Sequence, residues 1–130
     1  MITFLSVAAS VARLSGLDIG QGCTLRHHDG RVLVFSAAQK VRMRRLVASL
    51  PFTVVGDLDF VLLAAGTYWD FPFTVGTTTV VLTEKFFTFR NQPLVLAHEW
   101  VHLQQRLYPQ IFADMYHRWG FRRAPATRLP

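Results

Sequence analysis

The chain is short of cysteine, of glutamate and of long apolar runs, and each shortage excludes something. A single cysteine, Cys23, among 130 residues cannot close an internal disulfide, so stability must come from packing or a bound metal, and an oxidising compartment is not required. No stretch reaches the ~20 apolar residues that a membrane span needs; FVLLAAG at 60–66 is the densest. Charged residues make up 17% and apolar ones 51%, a balance that excludes a disordered chain. No repeat or low-complexity block interrupts it. The length suits one domain over 1–130, with the basic tail at 121–130 expected to fray.

The start, MITFLSVAASVARLSG, offers small residues like those before a signal-peptide cleavage site. It places no positive charge ahead of its apolar stretch, and Arg13 follows closely. It reads as an ordered N-terminal segment, which favours the cytoplasm.

Acid is scarce and base is not: 14 Lys and Arg against 8 Asp and Glu give a net charge of +6. That balance admits an acidic partner or nucleic acid, although basic residues scattered over a solvated surface account for it as well.

Eleven phenylalanines and three tryptophans supply a heavy aromatic core. Periodicity and turn residues predict a helix over 2–14 and a hairpin over 23–36 turning at Asp29-Gly30. A helix over 37–50 follows, N-capped by Ser36 with Met43, Leu46, Val47 and Leu50 as its apolar stripe. Its basic residues, Lys40, Arg42, Arg44 and Arg45, spread over the remaining arc. PFTVVG is a short strand or connector, and 57–66 reads as helix. Strands at 71–75 and 77–82 meet near Gly76, then comes a short helical turn at 83–90. Asn91 and Pro93 open a helix to about residue 107, Tyr108-Pro109 breaks it, and a last helix covers about 110–119, ending at Gly120. The expected fold class is α+β: a small antiparallel or mixed sheet with a long helix and a following C-terminal helix.

Half of the chain's glutamates and two of its five histidines gather in LAHEWVHLQQ at 96–105. On a helix, His98 and His102 are one turn apart and can hold one ion between them. Zinc suits neutral imidazole nitrogens at roughly 2.0–2.1 Å. Glu99 lies about 100° round the helix from His98, placed to act on a water rather than as a ligand beside both rings. The chemistry that fits is hydrolysis by a zinc-activated water, with Glu99 as general base and then general acid. With Leu94, Leu96, Ala97, Trp100, Val101 and Leu103 around it, the helix should bury one side and turn both histidines and Glu99 to the other.

This motif resembles the signature of the zincin metallopeptidases, and its continuation through Gln105 resembles small zincin-like domains with a His-x-x-Gln extension. The likeness covers roughly residues 70–120 and implies a minimal zincin-like domain, one zinc ion and a peptide or protein substrate. It also implies that the strand before the helix pairs with extended substrate, which assigns that role to Thr79, Val80 and Val81 by strand addition. The third ligand departs from the pattern. Gln105 and Tyr108 stand where metzincins have a glycine and a histidine, and no glutamate follows Glu99 as gluzincins require. His117 and Asp114 on the last helix are the candidates, with His117 favoured by residue type; one of His27 and His28 is a further possibility, as is a missing ligand. Tyr108 and Tyr116 can each donate to a developing oxyanion or simply pack.

The expectation is therefore a zinc metalloendopeptidase with His98, His102 and His117 on the metal and Glu99 catalytic. The alternatives are a site that keeps zinc without catalysis, and a basic binding module for nucleic acid or an acidic partner with a vestigial or structural motif.

Overall fold

A computed structural model describes residues 1–15 and 31–120. The elements in chain order are β1 (Ile2–Phe4), α1 (Val7–Leu14), β2 (Val32–Leu33), α2 (Ala37–Ala48), β3 (Leu58–Leu63), β4 (Phe73–Val75), β5 (Thr79–Thr83), α3 (Gln92–Leu107) and α4 (Pro109–Arg118). Two 3-10 turns, Thr67–Asp70 and Glu84–Thr88, flank the β4–β5 hairpin. The result is a small mixed sheet with helices, an α+β arrangement.

β3 is the spine of the sheet. β5 runs parallel to it along one edge, from Asp59↔Thr79 to Leu63↔Thr83. The other edge is shared: β1 pairs in parallel from Ile2↔Leu58 to Phe4↔Phe60, and β2 pairs antiparallel at Val32↔Leu63 and Leu33↔Leu62. β4 joins β5 antiparallel through a turn in which Gly76 takes φ 62. The path β1–β3–β5–β4 ends at β4, whose outer edge carries no strand among the described residues.

Two expected helices are corrected. Within 57–66, where a helix is expected, Leu58–Leu63 form β3. A strand buried on both faces shows no alternation, so its apolar run does not distinguish it from a core helix. Leu58, Phe60 and Leu62 point to one side, Val61 and Leu63 to the other, and all are at most 2% exposed. The helix expected over 2–14 splits into β1 and α1. Ser6 starts the helix late, its Oγ accepting from the Ala9 N–H at 3.1 Å, and the preceding ITF completes an edge of β3. The hairpin expected at 23–36, with its Asp29-Gly30 turn, falls largely outside the described residues.

α2 and α3 cover one face of the sheet. Met43, Leu46 and Leu50 of the predicted stripe meet Phe60, Leu62, Val80 and Leu82, together with Phe86, Leu96 and Leu103. On the other face Leu14 of α1 packs on Val61, Leu63 and Val81. α2 begins at Ser36 as expected, and the structure adds a reciprocal capping box: Ser36 Oγ accepts from the Gln39 N–H and Gln39 Oε1 accepts from the Ser36 N–H. Arg42 Nε donates to Gln92 Oε1 at 3.0 Å, tying α2 to the start of α3. Arg13 joins α1 to the sheet, donating to Asp59 Oδ2 at 3.0 Å and to Thr79 Oγ1. Among the described residues no helix is long and apolar enough to cross a membrane.

Candidate metal centre

Why the site sits where it does follows from the burial stripe of α3. Its buried residues are Gln92, Leu96, Glu99 and Leu103, spaced four, three and four apart, as on a helix seated on a sheet. The long helix starts with Pro93 in its first turn, where a missing N–H costs no helical bond, although Asn91 makes no side-chain cap. Glu99 belongs to the core-facing stripe, so the three motif residues do not all face away from the core as expected. The histidines lie one residue behind Leu103 and Glu99, at the solvent border: His98 is exposed and His102 half-buried.

The two imidazoles converge. Their Nε2 atoms are 3.0 Å apart and their rings nearly perpendicular, at 86°. In that contact one ring donates a proton to the other, and this shared proton stands where a cation would bind both. Two nitrogens on one tetrahedral zinc at about 2.0–2.1 Å are separated by roughly 3.3 Å. A small opening of the pair therefore accommodates the ion, and no backbone movement is needed.

Glu99 is 5% exposed and its Oε2 is buried without a hydrogen-bond partner. Burial pushes its carboxyl up to about 7, opposed by the charges of His102 and Arg106. An unpaired carboxylate oxygen in a core stripe is costly unless the group carries its proton or meets a cation or water at the site. Ligand atoms of His98, Glu99 and His102 all lie within 4.8 Å of one another. The donor set thus fits a divalent ion through two nitrogens, with a carboxylate at its side.

Around this group the structure adds contacts. His102 Nδ1 lies 3.0 Å from Gln105 Oε1, and Gln105 Nε2 donates to Tyr116 Oη at 2.6 Å. Arg106 Nη1 donates to the Gly76 carbonyl at 2.9 Å, fastening the β4–β5 turn to the helix one turn beyond His102. Arg106 carried no role in the sequence reading; only a tertiary contact reveals it. The Gln105 contact had a local signal, since residues three apart on a helix are neighbours. Trp100 stacks on Phe52 at 4.4 Å. The hollow lined by Val47, Leu50, Pro51, Phe52 and Val54 includes none of the three motif residues.

Several expected site residues are placed elsewhere. Neither His117 nor Asp114 joins the group. α4 turns Tyr116 towards α3, so His117, about 100° further round, is exposed. Asp114 is exposed too and accepts from Gln110 Nε2 at 2.9 Å. Among the described residues no His, Cys, Asp or Glu other than Glu99 joins the pair; His27 and His28 lie outside those residues. Thr79, Val80 and Val81 cannot receive a peptide by strand addition, because both edges of β5 are hydrogen-bonded, to β3 and β4, and the three side chains are buried. β4, next to β5, has an outer edge that carries no strand among the described residues. Tyr108 is exposed, and Tyr116 is engaged by Gln105.

Compared with known proteins, the chain matches no family model, no curated protein and no solved structure.

Proposed function

We propose that the protein is a zinc-dependent, zincin-like hydrolase of peptide bonds. The observation that carries this reading is the convergence of His98 and His102 Nε2 at 3.0 Å beside a buried carboxyl with an unpaired oxygen. His98 and His102 would hold the metal, and a third ligand would come from a group outside the described set. Zinc bound there supplies a Lewis acid that polarises a carbonyl and acidifies water near neutral pH.

The chain's own groups do the rest. Glu99, with its carboxyl raised to about 7, is matched to proton exchange at neutral pH. Its Oε2 makes no other hydrogen bond, so it is free to take a proton from the attacking water and return it to the departing amine. The open edge of β4 offers main-chain N–H and C=O groups to an extended peptide. Arg106 holds the β4–β5 turn against the site helix.

The test compares wild type with Glu99→Gln for zinc content and cleavage of an unstructured peptide. Equal zinc with cleavage reduced by a factor of 10³ or more is the expected result, on the scale of losing a general base and then acid. Equal cleavage by the two proteins would rule the mechanism out. Zinc in both with no cleavage by either leaves a metal site without catalysis.

The basic-module alternative is disfavoured by what α2 does with its charges. Lys40 and Arg44 lie over the Phe4 ring, 5.9 and 5.0 Å from its centroid, and Arg42 is bonded to Gln92. Nucleic-acid affinity that falls steeply with salt would revive it.

A further inference from the structure

The contact between α3 and α4 carries more than packing. α4 has no buried residue; Ile111 and Trp119 are each 63% exposed, and only Phe112 and Met115 are half-buried. Its polar link to α3 is Tyr116 on Gln105, and Gln105 reaches on to His102. The hydrogen bonds have a direction. The Gln105 carbonyl can only accept, so its contact with His102 requires the proton to be on Nδ1. That leaves Nε2 of His102 as a bare lone pair facing His98, from which it accepts in the absence of metal. The Gln105 amide turns its oxygen to His102 and its N–H to Tyr116 Oη. Flipping the amide would set an NH2 against His102 and move the ring proton to Nε2.

We infer that Gln105 is a positioning residue that holds His102 in the Nδ1–H tautomer, and that Tyr116 holds the Gln105 side chain against it, so that α4 serves as the clamp on the site. A ligating imidazole whose other nitrogen is bonded is oriented and made more basic, and losing such a partner commonly costs 10–100-fold in metal affinity. The consequence for zinc rests on the metal reading above; the tautomer assignment does not.

Both are read in one set of proteins: wild type, Gln105→Leu, Gln105→Glu and Tyr116→Phe. Long-range ¹H–¹⁵N NMR on the metal-free proteins at pH 8 gives the His102 tautomer. A chelator competition with Zn²⁺ alone gives affinity. Wild type and Gln105→Glu, whose carboxylate can only accept, should both show Nδ1–H on His102 and similar zinc affinity. Gln105→Leu should shift His102 towards Nε2–H and bind zinc 10–100-fold more weakly. Tyr116→Phe should lie between. Nε2–H on His102 in wild type, or a tautomer indifferent to Gln105→Leu, overturns the inference. Should Gln105→Leu not fold, Gln105→Glu and Tyr116→Phe still decide it, because a carboxylate that fails to keep Nδ1–H contradicts the direction of the bond. A wild type that binds no zinc but keeps the predicted tautomer sinks the metal reading and upholds the clamp.

Discussion

α3 and α4 are separated by a single residue, Tyr108, yet they hold their side chains in opposite ways. α3 buries Gln92, Leu96, Glu99 and Leu103 in one stripe, while α4 buries nothing. α3 is fixed by the core and by ties to α2 through Arg42 and to the β4–β5 turn through Arg106. α4 rests on half-buried Phe112 and Met115 and on the Tyr116–Gln105 bond. The proposed metal ligands and general base, His98, Glu99 and His102, all lie on the helix that the core fixes. The exposed side of the comparison contributes one contact, Tyr116 on Gln105. On the proposed reading, packing underneath these groups holds their relative geometry, and the buried carboxyl is part of that arrangement.

The comparison breaks first at Leu103. Leu103→Ala should cost about 3–4 kcal/mol of unfolding free energy in urea and weaken zinc binding, because it removes a 1% exposed side chain beneath the histidines. If the two helices are as different as described, Ile111→Ala should cost almost nothing by the same measurement.

Glu99 sharpens it next. Its carboxyl is raised to about 7, above the ordinary 4.5. The group therefore contributes stability that is fully present below pH 4.5 and is lost as pH rises through 7. Metal-free protein should be less stable at pH 8 than at pH 5 by about 2–3 kcal/mol from this group. Glu99→Gln should remove most of that dependence and stabilise the metal-free protein at pH 8. Denaturant melts of both proteins across this range check it; a stability that rises with pH equally in the two would contradict the burial argument.

Arg106→Met tests the tie between helix and hairpin. It should change stability by less than about 1 kcal/mol, since the residue is exposed. It should raise KM for peptide several-fold with zinc content intact, as the β4 edge loses its anchor. The smallest effect belongs to α4: Trp119→Ser should stay within about 0.5 kcal/mol of wild type.

What the sequence made legible was local. The long helix, its first-turn proline, the one-turn spacing of the histidines and the Ser36 cap of α2 are all written within a few residues. β3 was not legible as a strand, because LDFVLL is enclosed on both faces and keeps no alternation. β1 was hidden because three residues become a strand only when the edge of β3 is there to pair with. The side of α3 on which Glu99 falls depended on which stripe the sheet would claim. Leu96 and Leu103 claimed it, and Glu99 lies on the line between them. His117 lies apart from the pair for a similar reason: α4 turns Tyr116 to Gln105, a contact between residues eleven apart with no periodic signal.

Bound zinc per chain, measured side by side in wild type, His98→Ala, His102→Ala, His117→Ala and Asp114→Ala, tests the central claim most directly. The account predicts one equivalent in wild type, its loss in the first two variants and its retention in the last two. Zinc retained in His98→Ala and His102→Ala, or lost equally from His117→Ala, would contradict it.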